Sequence, residues 1–363
     1  MRQKAKLIIV CVVTGLFATA SFTSLAMGGS KDPWRSPEGR MVAIRRAQVW
    51  MPIDVRSVDI RTGPQGNGAF APDELVTCDY VKKKMKGASP KFTCRLTPDD
   101  EVKVKYGRDN GEVYGEVAAS RLLWALGFGS DRMYPVRVAC RGCPPDPHAS
   151  RHDARGQVIF DPAAIERKMD GRTLETFQDS GWGWPELDLV EETVGGAPRA
   201  HRDALKLLAV LLQHTDSRPA QQRLLCVAKG APGEEAGCSA TFMMISDVGL
   251  TFGAVNQYNR NSIGSVNFEH WSRAPVWKDP RRCVGNLSRS ITGTLENPHI
   301  SEAGRQFLAD LLVQLSDSQI HDLFEVARFP ERTGSGIVSA TVDQWASAFK
   351  RKRDEIVNQV CPS

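Results

Sequence analysis

The apolar spacing of this 363-residue chain changes period near residue 170, and that change limits the fold more than any single motif does. Before it, apolar residues mostly alternate, which is the spacing of a half-buried strand. Strand patterns are read at 75–81, 91–96, 101–106 and 133–140, with shorter pieces at 158–160 and 164–168. Val49, Met51, Ile53 and Val55 alternate as well, and 58–60 reads as a further strand piece. One helical pattern interrupts them: Val113, Val117, Leu122, Leu123 and Leu126, with Gly127 placed as a stop. Beyond residue 170 helices dominate, at 204–214, 303–315, 318–327 and 342–360. Ser316 with Gln319, and Thr341 with Gln344, have the spacing of capping boxes. Residues 224–227 and 241–245 read as an antiparallel pair of strands. The expected class is α+β, with a β-rich lobe at 49–169 and a mostly helical lobe at 170–363.

Two aspartates stand where these patterns break. Asp216 follows an apolar helix and precedes a turn, with Gln221 five residues later and Leu224-Leu225 resuming a strand. Asp247-Val248-Gly249 ends the apolar strand Phe242–Ile245. Phosphoryl transfer of the kinase type uses such a pair: one Asp orients the attacking hydroxyl, and a second, with an amide side chain, holds magnesium on the nucleotide phosphates. A glutamine amide still reaches a divalent cation, on a stem one methylene longer than asparagine. The same chemistry needs a strand lysine fixed by a helix carboxylate. In Val102-Lys103-Val104-Lys105-Tyr106, alternation puts Lys103 and Lys105 on one face. Lys105 is preferred and Lys103 stays open. Glu116, four residues after Glu112, is the expected partner.

The N-terminus reads as an export signal over residues 1–26. Arg2, Lys4 and Lys6 precede the short apolar stretch 7–20, and Ser24-Leu25-Ala26 offers a cleavage site. An uncleaved membrane anchor is the alternative, and the stretch is short for a full span. Residues 27–48 read as an unstructured start. Of nine cysteines, Cys11 lies in the signal, and the other eight suit disulfides in an oxidising compartment. Local spacing suggests Cys78–Cys94, Cys140–Cys143 and Cys226–Cys238, leaving Cys283–Cys361.

A net charge of +5 is mild. The clusters Lys82–Lys86 and Lys350–Arg353 lack an aromatic stacking platform, so solvated faces are expected and no nucleic acid partner. The seven histidines show no paired metal spacing. Trp182 and Trp184, beside Gly and Pro, are expected to pack a loop rather than stack on a sugar.

The lysine strand, 116–127, 133–140, 164–168, the Asp216 loop and Asp247-Val248-Gly249 together resemble the divergent protein-kinase-like superfamily. That group holds phosphoinositide-kinase-like enzymes, bacterial toxin kinases and secretory-pathway kinases. The chain looks most like an exported bacterial branch of it, over roughly residues 58–330. The resemblance implies a bilobed fold with ATP and magnesium in the cleft between the lobes. On it, Asp216 matches the catalytic-loop aspartate, Asp247 and Gln221 the metal ligands, Lys105 the phosphate lysine and Glu116 its partner. The chain departs from the pattern in three places. No His-Arg precedes Asp216, Gln221 stands for Asn, and Gly63–Gly68 matches no standard phosphate loop. The expected function is an exported, periplasmic or extracellular ATP-dependent phosphotransferase acting on a protein, glycan or small molecule. A pseudokinase that binds a nucleotide or partner, and a nucleotidyl transferase on the same fold, are the alternatives.

Overall fold

The computed structural model describes residues 36–149, 156–175, 181–227, 238–253, 265–334 and 337–362. The expected signal segment lies outside these residues. No helix among them is long and apolar enough to cross a membrane.

Five strands close into a barrel: β1 (Leu75–Val81), β2 (Lys91–Thr97), β3 (Asp100–Tyr106), β4 (Arg132–Arg141) and β5 (Gln157–Arg167), in the order β1-β2-β3-β5-β4. Parallel pairing of β1 with β4 completes the ring, so no edge is left open. Strand alternation decides what fills it. Val102 and Val104 point inward with Phe92, Tyr134, Val138 and Ile165. Lys91, Thr93, Lys103 and Lys105 therefore share the opposite face, and the register sets Lys91 beside Lys105 and Thr93 beside Lys103.

The crossover from β3 to β4 is made by α2 (Gly111–Ala125), which follows a shorter helix, α1 (Pro37–Arg45). Asn110 caps α2 by accepting from the Glu112 amide at 3.2 Å. Apart from Glu112 and Trp124, every residue of α2 is buried. A helix buried all round carries charge only where the fold provides a partner. Glu116 and Arg121 are its two buried charges.

Of the remaining strands, β6 (Arg172–Thr173), β7 (Gln222–Cys226) and β8 (Thr241–Ile245) form one small antiparallel sheet, and β9 (Trp277–Asp279) and β10 (Val284–Gly285) pair antiparallel in another. The helices that follow pack on one another: α3 (Arg199–Leu212) against α5 (Glu302–Leu312), and α7 (Val342–Val357) against α4 (Phe268–Arg273), α5 and α6 (Asp317–Val326). The capping boxes at Ser316 and Thr341 form as expected. All four cysteine pairs match the local-spacing reading: Cys78–Cys94, Cys140–Cys143, Cys226–Cys238 and Cys283–Cys361.

Four expectations are corrected. The part of the expected unstructured start that is described holds α1, because Ser36 caps it and Pro37 opens it. Residues 49–60 do not form a strand. Pro52 removes a ladder donor, Asp54 accepts from the Arg56 amide to cap a short turn at Val55–Ser57, and only isolated bridges at Gln48 and Trp50 remain. The pieces at 158–160 and 164–168 are one strand, β5, whose interruption at Asp161-Pro162 is absorbed by a register shift opposite Val136 and Val138. Lys352 is not solvated: it is buried over the Trp271 ring, 5.1 Å from its centroid, and donates to the Ala274 carbonyl. Trp182 and Trp184 pack edge to face in the core, 5.2 Å apart, as a loop-packing pair.

Candidate functional site

Lys105 is fully buried on the outer face of β3. Its ammonium donates to Glu112 Oε2 at 2.6 Å and to Glu116 Oε1, and lies 3.9 Å from Asp247 Oδ1. Burial alone would lower the Lys105 pKa, but Asp247, Glu112 and Glu116 outweigh it and hold the group well above its ordinary value. Glu116, buried against neighbouring carboxylates, is pushed up despite Lys105. Asp247 goes the other way: burial would raise it, yet Lys105 and Lys103 hold it well below the usual carboxylate range. Its side chain keeps 27% of its surface exposed. Lys105 and Asp247 are thus favoured in their charged forms, while Glu116 is pushed toward its neutral form.

Two glycines set this distance. A Cβ at Gly249 would meet Glu112 Cγ at 2.7 Å, and one at Gly115 would meet the Gly249 carbonyl at 3.2 Å. Without side chains there, the Asp247 loop and α2 approach closely enough for one ammonium to serve both.

The Asp216 loop is stitched to the Asp247 loop by backbone hydrogen bonds. The Gln221 carbonyl accepts from Ser246 N at 2.7 Å and from Asp247 N at 3.1 Å, and Thr215 N donates to the Leu250 carbonyl at 3.3 Å. Gln221 Nε2 donates to Asp216 Oδ2 at 2.6 Å, and Arg218 Nε lies 3.3 Å from Asp216 Oδ1. The structure thus joins Lys105, Glu116 and Asp247 in one cluster, Asp216 and Gln221 in a second, and connects the two through the Gln221 carbonyl. Lys103 is placed elsewhere: its ion pair is with Glu166 on β5.

A cavity of about 800 Å³ lies along the same face of the barrel. Lys103 and Thr93 line it from the strands, Lys83 and Met85 from the β1–β2 loop, and Glu166 and Lys168 from the end of β5. Its size suits a nucleotide, but the Lys103–Glu166 pair makes it more charged than most small-molecule pockets. The Gly63–Gly68 loop reaches its edge through Asn67 and Gly68. That loop is held by its carbonyls: Tyr134 Oη donates to Pro64 O at 2.8 Å and Arg167 Nε to Gly68 O at 2.9 Å.

Sequence reasoning missed Asp131. Its buried carboxylate accepts from Ser246 Oγ at 2.8 Å, Lys168 Nζ at 2.9 Å and Met169 N at 2.9 Å, and lies 3.6 Å from Arg223. It ties the entry to β4, the exit from β5 and the strand that presents Asp247. An aspartate in a short turn gives no periodic signal, so nothing in the sequence marked it. Lys91 was missed for a different reason: it opens a strand pattern, where a lysine looks like an exposed end.

The chain matches no known family and no curated protein. Among solved structures it is similar to the crystal structure of a Helicobacter pylori proinflammatory kinase, CtkA, at 11% identity and a TM-score of 0.40, over 80% of this chain and 95% of that one. That likeness is too loose to fix a function.

Proposed function

We propose that this protein is a kinase-like phosphotransferase that moves a phosphoryl group from ATP to an acceptor hydroxyl on a protein, glycan or small molecule. One observation carries the reading: Lys105, locked by Glu116, faces Asp247, while Gln221 holds both the Asp247 backbone and the Asp216 side chain. Kinase-type transfer needs this grouping of a fixed cation, a metal carboxylate and a second carboxylate. The donor set of Asp247 carboxylate and Gln221 amide oxygen is all hard oxygen, which fits magnesium. These residues would hold the ion, which would neutralise charge on the phosphate oxygens. Lys105 would bind the phosphates, and Asp216 would accept the proton of the attacking hydroxyl. Four disulfides and the basic–apolar N-terminal pattern support work in an oxidising compartment outside the cytoplasm.

A second reading has its own support. Both Asp216 oxygens are engaged, one by Gln221 and one by Arg218, and the cavity floor is an ion pair. A nucleotide- or partner-binding module without catalysis accounts for both features.

Labelled ATP separates the readings. Transfer of γ-label to an acceptor or to the protein itself supports the phosphotransferase. Transfer of α-label would replace it with nucleotidyl transfer. Magnesium-dependent binding with no transfer leaves the binding module. Absence of any ATP binding by the wild type in calorimetric titration would sink every nucleotide-dependent reading and leave only a partner-binding module; binding that survives Asp247→Ala would remove that residue from the metal role.

A further inference from the structure

The loop joining β1 to β2 carries Lys82, Lys83, Lys84 and Lys86, all exposed. It folds back over the barrel face, where Thr93 Oγ1 donates to Met85 Sδ at 3.2 Å. Between this loop and the turn after β4 lies a smaller cavity of about 200 Å³, adjoining the first at Lys83 and Met85, on whose wall stand Lys83, Lys84, Lys91 and His148. Among the described residues, no carboxylate lines it. The nearby acids are committed elsewhere. Asp146 accepts from Tyr106 Oη at 2.5 Å and from the His148 and Ala149 amides. Glu112 Oε2 accepts from Lys105 at 2.6 Å and from Ser89 Oγ at 2.7 Å.

Lys91 makes the cavity more than a set of surface lysines. It is nine-tenths buried, at 9% exposure, and its ammonium has one described hydrogen-bond partner, the Ser89 hydroxyl at 3.3 Å. No carboxylate among the described residues forms an ion pair with it. Gly87, at φ +94°, lets the loop close over it, since a Cβ there would stand 2.7 Å from Lys91 Nζ. Burial, and then the charge of Lys105 beside it, push the Lys91 pKa below its ordinary value against the opposing pull of Glu112 and Asp247. Glu112 and Asp247 attract this ammonium from beyond ion-pair contact and offset its burial only in part. An oxyanion in the cavity would supply the missing charge and the missing acceptors.

We propose that this cavity binds a phosphate-type oxyanion, with Lys91 as its floor and Lys83 and Lys84 closing on it from the loop. The site stands on the lysines and the cavity alone and does not require that phosphoryl transfer occur. Two sources share the chemistry: the phosphates of a nucleotide, or an anionic group on an acceptor.

Pyrophosphate is the probe, titrated calorimetrically into the full chain in metal-free buffer. The wild type is expected to bind. Lys91→Met and the double variant Lys83→Ala/Lys84→Ala are each expected to weaken binding about tenfold or more, the loss of a charge-assisted hydrogen bond. Asp247→Ala is expected to lose no affinity. No binding by the wild type, unchanged binding by Lys83→Ala/Lys84→Ala, or a loss confined to Asp247→Ala would each overturn the proposal. The exposed double variant decides the matter even where Lys91→Met fails to fold. Adding ATP then identifies the source: displacement of pyrophosphate assigns the anion to the nucleotide, and simultaneous binding assigns it to the acceptor. Either result supports the site.

Discussion

Gln221 donates its side-chain amide to Asp216 at 2.6 Å while its own carbonyl accepts the Asp247 amide at 3.1 Å. One residue therefore orients both aspartates, from its side chain and from its backbone. The longer stem of glutamine spans to the carboxylate and fixes which way the amide faces: nitrogen toward Asp216, leaving the oxygen as the acceptor end.

Gln221→Ala removes the side-chain half of this arrangement and keeps the backbone half. Magnesium-dependent nucleotide binding or transfer is expected to fall on the order of 10–100-fold, as for other partners that orient a ligand. Gln221→Asn is expected to fall less. Equal activity of Gln221→Ala and the wild type, in titration or label transfer, would remove Gln221 from the site.

Lys105→Met leaves Glu116, Glu112 and Asp247 without their shared cation. Breaking a buried pair from one side is expected to cost about 3–5 kcal/mol of stability. The double variant Lys105→Met/Glu116→Gln should recover part of that stability without recovering ATP binding. Urea unfolding curves measure the first effect and calorimetry the second.

His214 is fully buried, and neither ring nitrogen has a hydrogen-bond partner among the described residues. Burial lowers its pKa from 6.5 to about 4. Between those values the unfolded chain takes a proton that the folded chain refuses, so stability falls as pH drops. The loss from pH 6.5 to 4 is expected to be about 3 kcal/mol. His214→Leu should flatten unfolding free energies across this window. A wild-type curve already flat there would refute the assignment.

Asp131→Asn is expected to loosen Ser246, Lys168 and Arg223 together, because a neutral amide answers fewer donors than a carboxylate. Hydrogen exchange at the backbone amides of Ser246 and Asp247 should speed up while that of the barrel strands does not. Unchanged exchange at both residues would show that Asp131 does not hold this strand.

Cys283–Cys361 closes the longest loop of the four disulfides, with a separation of 78 residues. Loop entropy predicts that Cys283→Ser/Cys361→Ser loses about 4 kcal/mol. Denaturant unfolding of the double variant, compared with the oxidised wild type, checks this.

Much of the architecture was legible because burial imposes period. Val102 and Val104 face a core, so Lys103 and Lys105 had to share the other face. Three cysteine pairs followed from short separations, with Cys283–Cys361 left as the fourth, and the helix caps followed from Ser316 and Thr341. The failures share a cause as well. At 49–60 the alternation was real, but among the described residues only isolated bridges form there, and Pro52 and Asp54 favour a turn. At 158–168 a polar interruption looked like an end, while the partner strand absorbed it as a bulge.

The sequence by itself determined which charges stand beside apolar runs, Lys103, Lys105, Glu116, Asp216 and Asp247, with the neutral amide of Gln221 beside Asp216. It preferred Lys105 but left Lys103 open, since alternation treats them alike. Tertiary structure chose, because α2 brings Glu112 and Glu116 to one lysine and β5 brings Glu166 to the other. It also decided that Asp131 joins three segments, and that Lys91 is buried with no ion pair to a carboxylate among the described residues. Ion pairs form across elements that are distant in the chain, so only the packing that closes those distances selects the partner.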